Sequence, residues 1–391
     1  MRELIKKLTP KPLIELYKKG RYIWIRILFR IFHLFPIKKN RIVFCNVWGY
    51  GDNARYVVEE LVKQREGQEI FFITNHPEQA GNVAGIHFLK TNSMAAIQAL
   101  ATARVWVDNN RKEPYITKRK GQYYIQLWHG GLALKKIEGD CAEHLGEAYI
   151  NNARRDSAMT DLYVSNGEFC TNMYRRAFFY EGEIIECGTP RNDAFIKGNL
   201  EKAASVKRSL SIDLETKIVL YAPTYRDGSE VSAYQFDFEQ VRKAMEARFG
   251  GEFVMIVRMH PLVSALGDVL EYGDKILNGS HYPDMYELML ASDVLITDYS
   301  NTMFEFSMMK RPVFLYASDF TMYKKERGFY FDYYTLPYKI AADSEELIQC
   351  IVRFDEEEYQ KELNRFFDTV NLKESGKAAE VVVQRILEKV K

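Results

Sequence analysis

The sequence predicts an α/β protein: two tandem open parallel sheets facing one cleft, preceded by a basic amphipathic helical segment. Three observations carry this expectation. Short apolar, β-branched runs alternate with helical stretches from Arg41 onward, the pattern of parallel strands covered on both faces. The alternation breaks in charged text at 199–214 and resumes near Lys217, and 391 residues suffice for two such domains. Five polar clusters sit where predicted strands end, the side of an open α/β sheet on which ligands bind. The expected division is 1–40 for the helical segment, 41–200 for the first domain and 201–391 for the second with its closing helix.

Composition narrows the class. Apolar residues make up 47% and aromatics 14%, a packed globular chain and not a disordered one. The net charge of +1 conceals an asymmetry: residues 1–41 hold twelve of the 54 Lys/Arg but only Glu3 and Glu15 of the 53 acidic residues. A basic head on an acidic body points to contact with an anionic surface and away from general nucleic-acid binding. Cys45, Cys141, Cys170, Cys187 and Cys350 have neither disulfide nor zinc spacing, which fits a reducing cytoplasm.

Residues 22–35 are dense in Ile, Leu, Phe and Trp, with Arg26, Arg30 and His33 at i, i+4 and i+7 on one helical face. The stretch is too short and too charged to span a bilayer, and no small-residue cleavage site follows it. Such a helix lies in the interface of an anionic membrane, with Trp24, Phe29 and Phe32 in the acyl boundary. The alternative is a helix packed on its own protein or on a partner subunit.

Strands of the first domain are expected at 41–46, 69–74, 86–89, 104–108, 123–128, 162–164 and 184–187, with helices such as 54–64 and 94–103 between them. The first strand–helix turn, Trp48-Gly49-Tyr50-Gly51-Asp52-Asn53, lacks a full dinucleotide fingerprint and reads as a loop with Asp52 or Asn53 as the helix cap. The second series reads 217–222, 253–259, 275–277, 294–297 and 312–316, and a helix at 377–390 is placed across the domain joint.

The stretch 293–312 organises the second half. Val294 to Thr297 reads as a buried strand, Asp298 to Asn301 as turn and cap, and Met303, Phe304, Phe306 and Met308 follow at helical spacing. Backbone N–H groups at such a helix mouth, here Ser300 to Thr302, suit a phosphate, and Glu305 one turn on suits a ribose beside it. An ordinary strand–cap–helix joint is the alternative.

The other clusters follow the same logic. Arg258 and His260 alternate along their strand, so both can face one side of its end. There a guanidinium fork holds phosphate oxygens and an imidazole gives a hydrogen bond or a proton. An ion pair at a domain edge is the other reading. His129, after strand 123–128, is a candidate general base, or else a cap or a core histidine. Lys135 and Lys136 read as solvated or phosphate-facing charges. Residues 323–334, with Lys324, Lys325 and Arg327, read as a lid or a surface loop.

In order and spacing, six stretches resemble the CDP-glycerol glycerophosphotransferase family, enzymes that prime or polymerise teichoic acids and related polyol-phosphate polymers. They are Trp128-His129-Gly130 with Lys135-Lys136-Ile137 and Asp140, Gly188-Thr189-Pro190-Arg191-Asn192-Asp193, and Tyr221-Ala222-Pro223-Thr224-Tyr225-Arg226. Arg258-Met259-His260-Pro261, Leu295-Ile296-Thr297-Asp298-Tyr299-Ser300 and Arg327-Gly328-Phe329-Tyr330-Phe331-Asp332-Tyr333 complete the set. The chain departs from the family pattern where Gly131-Leu132-Ala133-Leu134 replaces Thr-Pro-Leu ahead of the lysine. It departs again where Ser300-Asn301 and Glu305 stand for Ser-Ser and Asp. Both departures bear on which polyol and acceptor are used.

The resemblance implies a GT-B-type fold: two Rossmann-like domains, the nucleotide on the second and the acceptor mainly on the first. It implies transfer of a polyol phosphate from CDP-glycerol or another CDP-polyol to a hydroxyl of a lipid-linked saccharide or polyol-phosphate acceptor. CMP is released, and the protein works as a peripheral protein at the cytoplasmic face of the membrane. His129 is then the general base, and Arg258 and His260 act on the pyrophosphate. Gly130, Lys135, Arg191, Asn192, Asp193, Thr224, Arg226, Thr297, Asp298, Ser300, Asn301, Thr302, Glu305 and Arg327 are the implied substrate contacts. No cofactor is expected beyond a loosely bound magnesium. A GT-B glycosyltransferase using a nucleotide sugar is one rival. A membrane-associated nucleotide-binding protein without turnover is the other, kept open by the altered loop after His129.

Overall fold

The apolar runs form two separate sheets, and every strand pairing within them is parallel. The first holds β1 (Lys38–Cys45), β2 (Glu69–Thr74), β3 (His87–Lys90), β4 (Ala103–Asp108), β5 (Tyr123–Gln126), β6 (Leu162–Ser165) and β7 (Glu183–Glu186), in the order β3-β2-β1-β4-β5-β6-β7. The second holds β8 (Lys217–Tyr221), β9 (Phe253–Val257), β10 (Ile276–Asn278), β11 (Val294–Thr297), β12 (Val313–Tyr316) and β13 (Lys339–Ala341), in the order β10-β9-β8-β11-β12-β13. The computed structural model describes the chain except residues 1–10, 65–66, 227–233, 235, 261–262, 269, 271 and 321–327.

Each strand order reverses once, between β1 and β4 and between β8 and β11, and a crevice opens at the carboxyl ends beside each reversal. The loops after β8 and β11 carry Thr224 to Arg226 and Asp298 to Asn301, so two of the sequence clusters flank the second crevice. Strands β8, β9, β11 and β12 are buried throughout or nearly so, which is why they read as unbroken apolar runs. Strand β13 escaped the sequence reading because three residues, one of them an exposed lysine, carry too short a pattern.

One sequence expectation about the joint is corrected. The charged stretch at 199–214 contains a helix, Leu200–Ser209, whose first turn is capped by Asn199: its side chain accepts the Lys202 N–H at 3.0 Å. The last helix, Ala378–Val390, packs on the first sheet and not on the second, burying Ala378, Val382, Val383 and Ile386 against Ile42, Phe44 and Val107.

The amphipathic helix spans Lys11–Phe32 and has two apolar faces. Ile25 and Phe29 are buried in the first domain, with Tyr22, Leu28 and Phe32 packed beside them, because positions 22, 25, 29 and 32 share one side of a 3.6-residue period. Phe29, 1% exposed, and Phe32 therefore face protein, contrary to their expected place in lipid. His33 leaves the Arg26/Arg30 face as well, its ring 4.6 Å from that of Phe29. A second stripe, Leu13, Leu16, Trp24, Ile27, Ile31 and Leu34, is exposed. Among the described residues no helix is long and apolar enough to cross a membrane.

The domains share one buried cluster, in which Trp128, Leu132 and Leu134 of the first meet Met303 and Phe304 of the second. Backbone bonds seal this joint. Lys135 pairs with Phe329 in an antiparallel bridge, and the Tyr330 N–H donates to Leu134 O at 2.8 Å.

Candidate active site

Strand β5 ends at Gln126, and Trp128 then takes φ +55°, turning the chain so that His129 is carried to the cleft. Two donors hold this turn: Asn53 Nδ2 to the Trp128 carbonyl at 3.0 Å and Arg191 Nη1 to the His129 carbonyl at 3.1 Å. His129 Nδ1 lies 3.4 Å from the Asn109 carbonyl oxygen, and the tautomer that donates there leaves the Nε2 lone pair open. The residue is solvent-exposed at the rim of a concavity that it lines with Gly130 and Asn301. The protein matter crowded round the ring lowers its pKa, Asp52 opposes this, and the Arg191 and Arg111 charges lower it further, which favours the neutral imidazole. A cavity of about 200 Å³ brings His129 and Gly130 together with Asn301 of the second domain. Gly131 is required beside it, because a Cβ there would collide with the Asn166 side chain.

Across the cleft, Arg258 and His260 follow β9. Arg258 Nη1 donates to the carbonyls of Gly279 and Tyr282 at 2.9 and 2.6 Å, which fixes the guanidinium at the strand end. The Tyr225 ring lies 5.8 Å from that of His260. Burial lowers the His260 pKa, and the positive charges of Lys135 and Arg258 lower it again. Lys135 comes from the first domain. Positive charge from both domains, Lys135 of the first and Arg258 of the second, thus acts on His260.

Other expected contacts are placed differently. Asp298 is buried and accepts from Thr224 N–H and Oγ1, at 2.9 and 2.5 Å, and pairs with Arg226 Nη1 at 2.9 Å. Arg226 also meets Asp319 at 2.5 Å. Thr297 Oγ1 donates to Ala222 O at 2.7 Å. Thr224, Arg226, Thr297 and Asp298 therefore brace the walls of the crevice through bonds within the protein. Arg226→Ala should cost about 3–5 kcal/mol of stability, because it leaves Asp298 buried without its counter-charge. Denaturant titration checks this, and a loss of nucleotide affinity at unchanged stability would contradict it.

Glu305, 2% exposed, pairs with Arg191 of the first domain and has no path to a ribose. Asn192 Nδ2 donates to Glu374 at 3.1 Å, and the Asp193 carboxylate accepts the Ala378 and Ala379 N–H groups, so both serve the C-terminal crossover. The helix after β11 is only five residues, Thr302–Phe306. Ser300 Oγ accepts the Thr302 N–H at 3.3 Å, and Asn301 Oδ1 accepts the Leu134 N–H at 2.9 Å. The anion site at this helix mouth is thereby smaller than expected. Arg327 lies outside the described residues.

Asp52 Oδ1 accepts the Asn53 N–H at 2.7 Å at the start of the helix Asp52–Lys63, and the two side chains also reach Arg191 and Trp128. The sequence reading missed this function, as it missed Arg55, which pairs with Asp284 of the second domain at 2.9 Å. No local signal marked either, because the partners lie on the other side of a fold-level contact. Among the described residues no group of three or more His, Cys, Asp and Glu is placed to hold a metal.

The chain is 31% identical to a teichoic acid poly(glycerol phosphate) polymerase of Bacillus spizizenii, over 95% of the chain and 99% of that protein. It is 33% identical to a teichoic acid glycerol-phosphate transferase of Staphylococcus aureus, over 89% and 93%. It spans about half the length of poly(glycerol phosphate) polymerases from Staphylococcus epidermidis and Bacillus subtilis. A structure of the wall teichoic acid polymerase TagF, a variant soaked with CDPG, superposes with a TM-score of 0.83 at 29% identity, covering 97% of this chain and 98% of that one. The family model for CDP-glycerol:poly(glycerophosphate) glycerophosphotransferase matches residues 27–388, and the chain belongs to that family.

Proposed function

We propose that the cleft transfers glycerol phosphate from CDP-glycerol to a hydroxyl of a membrane-linked acceptor in teichoic acid synthesis, releasing CMP. The observation that carries the chemistry is the convergence of Lys135 from one domain with Arg258 and His260 from the other. A pyrophosphate is the anion such a cluster suits. His129 Nε2 takes the proton of the acceptor hydroxyl, whose oxygen attacks the phosphorus that bears glycerol. The bond from that phosphorus to the bridging oxygen breaks, and the charge that develops on CMP is held by Arg258, His260 and Lys135.

The acceptor end of the reaction lies at the membrane surface in this reading, and the exposed Leu13-to-Leu34 stripe with Arg26 and Arg30 beside it holds the first domain there. This is a peripheral attachment at the cytoplasmic face. Ile25 and Phe29 are core residues, so deleting the helix would damage the fold; surface changes are the proper test. Ile27→Glu/Ile31→Glu should lower partition onto anionic vesicles at least about 10-fold at low salt, since burying each side chain contributes on the order of 1 kcal/mol. Co-sedimentation reads this directly, and an unchanged bound fraction would dismiss the membrane role of the stripe.

Incubating the protein with CDP-glycerol and a lipid-linked disaccharide tests the reaction. Release of CMP and products heavier by glycerol phosphate units are expected. Stabilisation and turnover with a UDP- or GDP-sugar in place of CDP-glycerol would overturn the assignment.

A further inference from the structure

We propose that Arg191 is a positioning residue that ties the location of His129 to the closed arrangement of the two domains. The inference rests on the reading of His129 as the base. Arg191 is 3% exposed, and its guanidinium is divided among three oxygens. Nη1 pairs with Asp52 and donates to the His129 carbonyl at 3.1 Å, while Nη2 pairs with Glu305. Its guanidinium carbon also sits 4.4 Å from the centre of the Tyr286 ring. Asp52 and His129 belong to the first domain, Glu305 and Tyr286 to the second.

The backbone joins the same knot. The Arg191 N–H donates to Asn53 Oδ1 at 3.1 Å, and Nδ2 of that same amide donates to the Trp128 carbonyl. The consecutive carbonyls of Trp128 and His129 are therefore held by donors that Asp52, Asn53 and Arg191 keep in place. This matters because Trp128 sits at φ +55°, a conformation that bulky residues adopt only when their surroundings enforce it.

The second domain supplies the remaining half. Glu305 lies one turn beyond Ser300 and Asn301, and Asn301 lines the cavity that contains His129. One short helix thus presents Asn301 to the cavity and a buried carboxylate to the residue that holds His129. Arg191 keeps Asp52 within its own domain, whereas Glu305 is paired with it across the joint, so this half of the arrangement exists only where the two domains meet. Closure then sets His129 where the acceptor hydroxyl is to be deprotonated, and a base displaced by about 1 Å loses on the order of 100-fold in rate. Arg191 acts through His129 and touches no substrate.

Glu305→Gln keeps the shape and one acceptor oxygen while removing the charge; Arg191→Lys keeps the charge but cannot divide it among three oxygens. Each should lower kcat about 10-fold to 100-fold with CDP-glycerol affinity, read by calorimetry, within about 2-fold of wild type. The double variant should lose little more than the worse single one, because the two residues act as a unit. Wild-type kcat in both single variants, or a loss confined to CDP-glycerol affinity, would overturn the proposal. His129→Ala run alongside separates the failures: if that variant turns over normally, it is the base assignment that falls. Glu305→Gln is the milder change for the fold, and its thermal midpoint shows that a low kcat belongs to native protein.

Discussion

His129→Ala should lower turnover by about 100-fold to 10,000-fold, the usual scale for loss of a general base, and leave CDP-glycerol binding nearly intact. The separation follows from the architecture. The imidazole belongs to the first domain, while Arg258 and His260, the proposed pyrophosphate contacts, sit on the loop after β9 in the second. The pH dependence carries a second sign. The neutral imidazole is the working form, and the protein matter crowded round the ring together with Arg191 and Arg111 places its pKa below the ordinary 6.5. The acid limb of kcat/KM that belongs to His129 therefore lies below pH 6.5, and activity persists at pH values where an ordinary histidine is half protonated. Single-turnover rates and calorimetry on the variant decide the matter. Normal transfer, or lost nucleotide affinity in place of lost turnover, removes His129 from the role.

Arg258→Ala should weaken CDP binding roughly 10-fold to 150-fold, from a charge-assisted bond of about 1.5–3 kcal/mol. The structure adds a competing role. Nη1 already serves the carbonyls of Gly279 and Tyr282, so the side chain also anchors the loop that follows β10. Titration with CDP distinguishes the two: unchanged affinity with lowered stability makes Arg258 a loop anchor only. Lys135→Met offers a parallel check through His260. Removing that cation takes away one of the charges that lower the His260 pKa, so the imidazole holds its proton to higher pH. NMR titration of the His260 ring should show an upward shift in the variant, and no shift would place Lys135 outside the anion cluster.

Much of the architecture was legible locally. The period-free apolar runs of buried parallel strands announce themselves, and β2 and β11 fall at the expected residues. The strand-end location of His129, Arg258 and His260 was equally readable, because in an open parallel sheet the end of a strand is where a crevice lies. Helix faces were less so. The sequence shows that Lys11–Phe32 is amphipathic, but it carries two apolar stripes, and a single period cannot say which one the protein itself covers.

Charged residues mark the limit most clearly. Arg191, Arg226, Asp298 and Glu305 all stand in stretches that suit phosphate or ribose, and composition cannot separate an arginine aimed at a ligand from one satisfied by a carboxylate. The carboxylates that satisfy Arg191 lie 139 and 114 residues away, at Asp52 and Glu305. Residue types and their order determined the two sheets, the cleft and the candidate base. Tertiary packing alone decided which charges face that cleft and which hold it shut, because a buried ion must find its counter-ion wherever the fold brings one, and sequence distance plays no part in that choice.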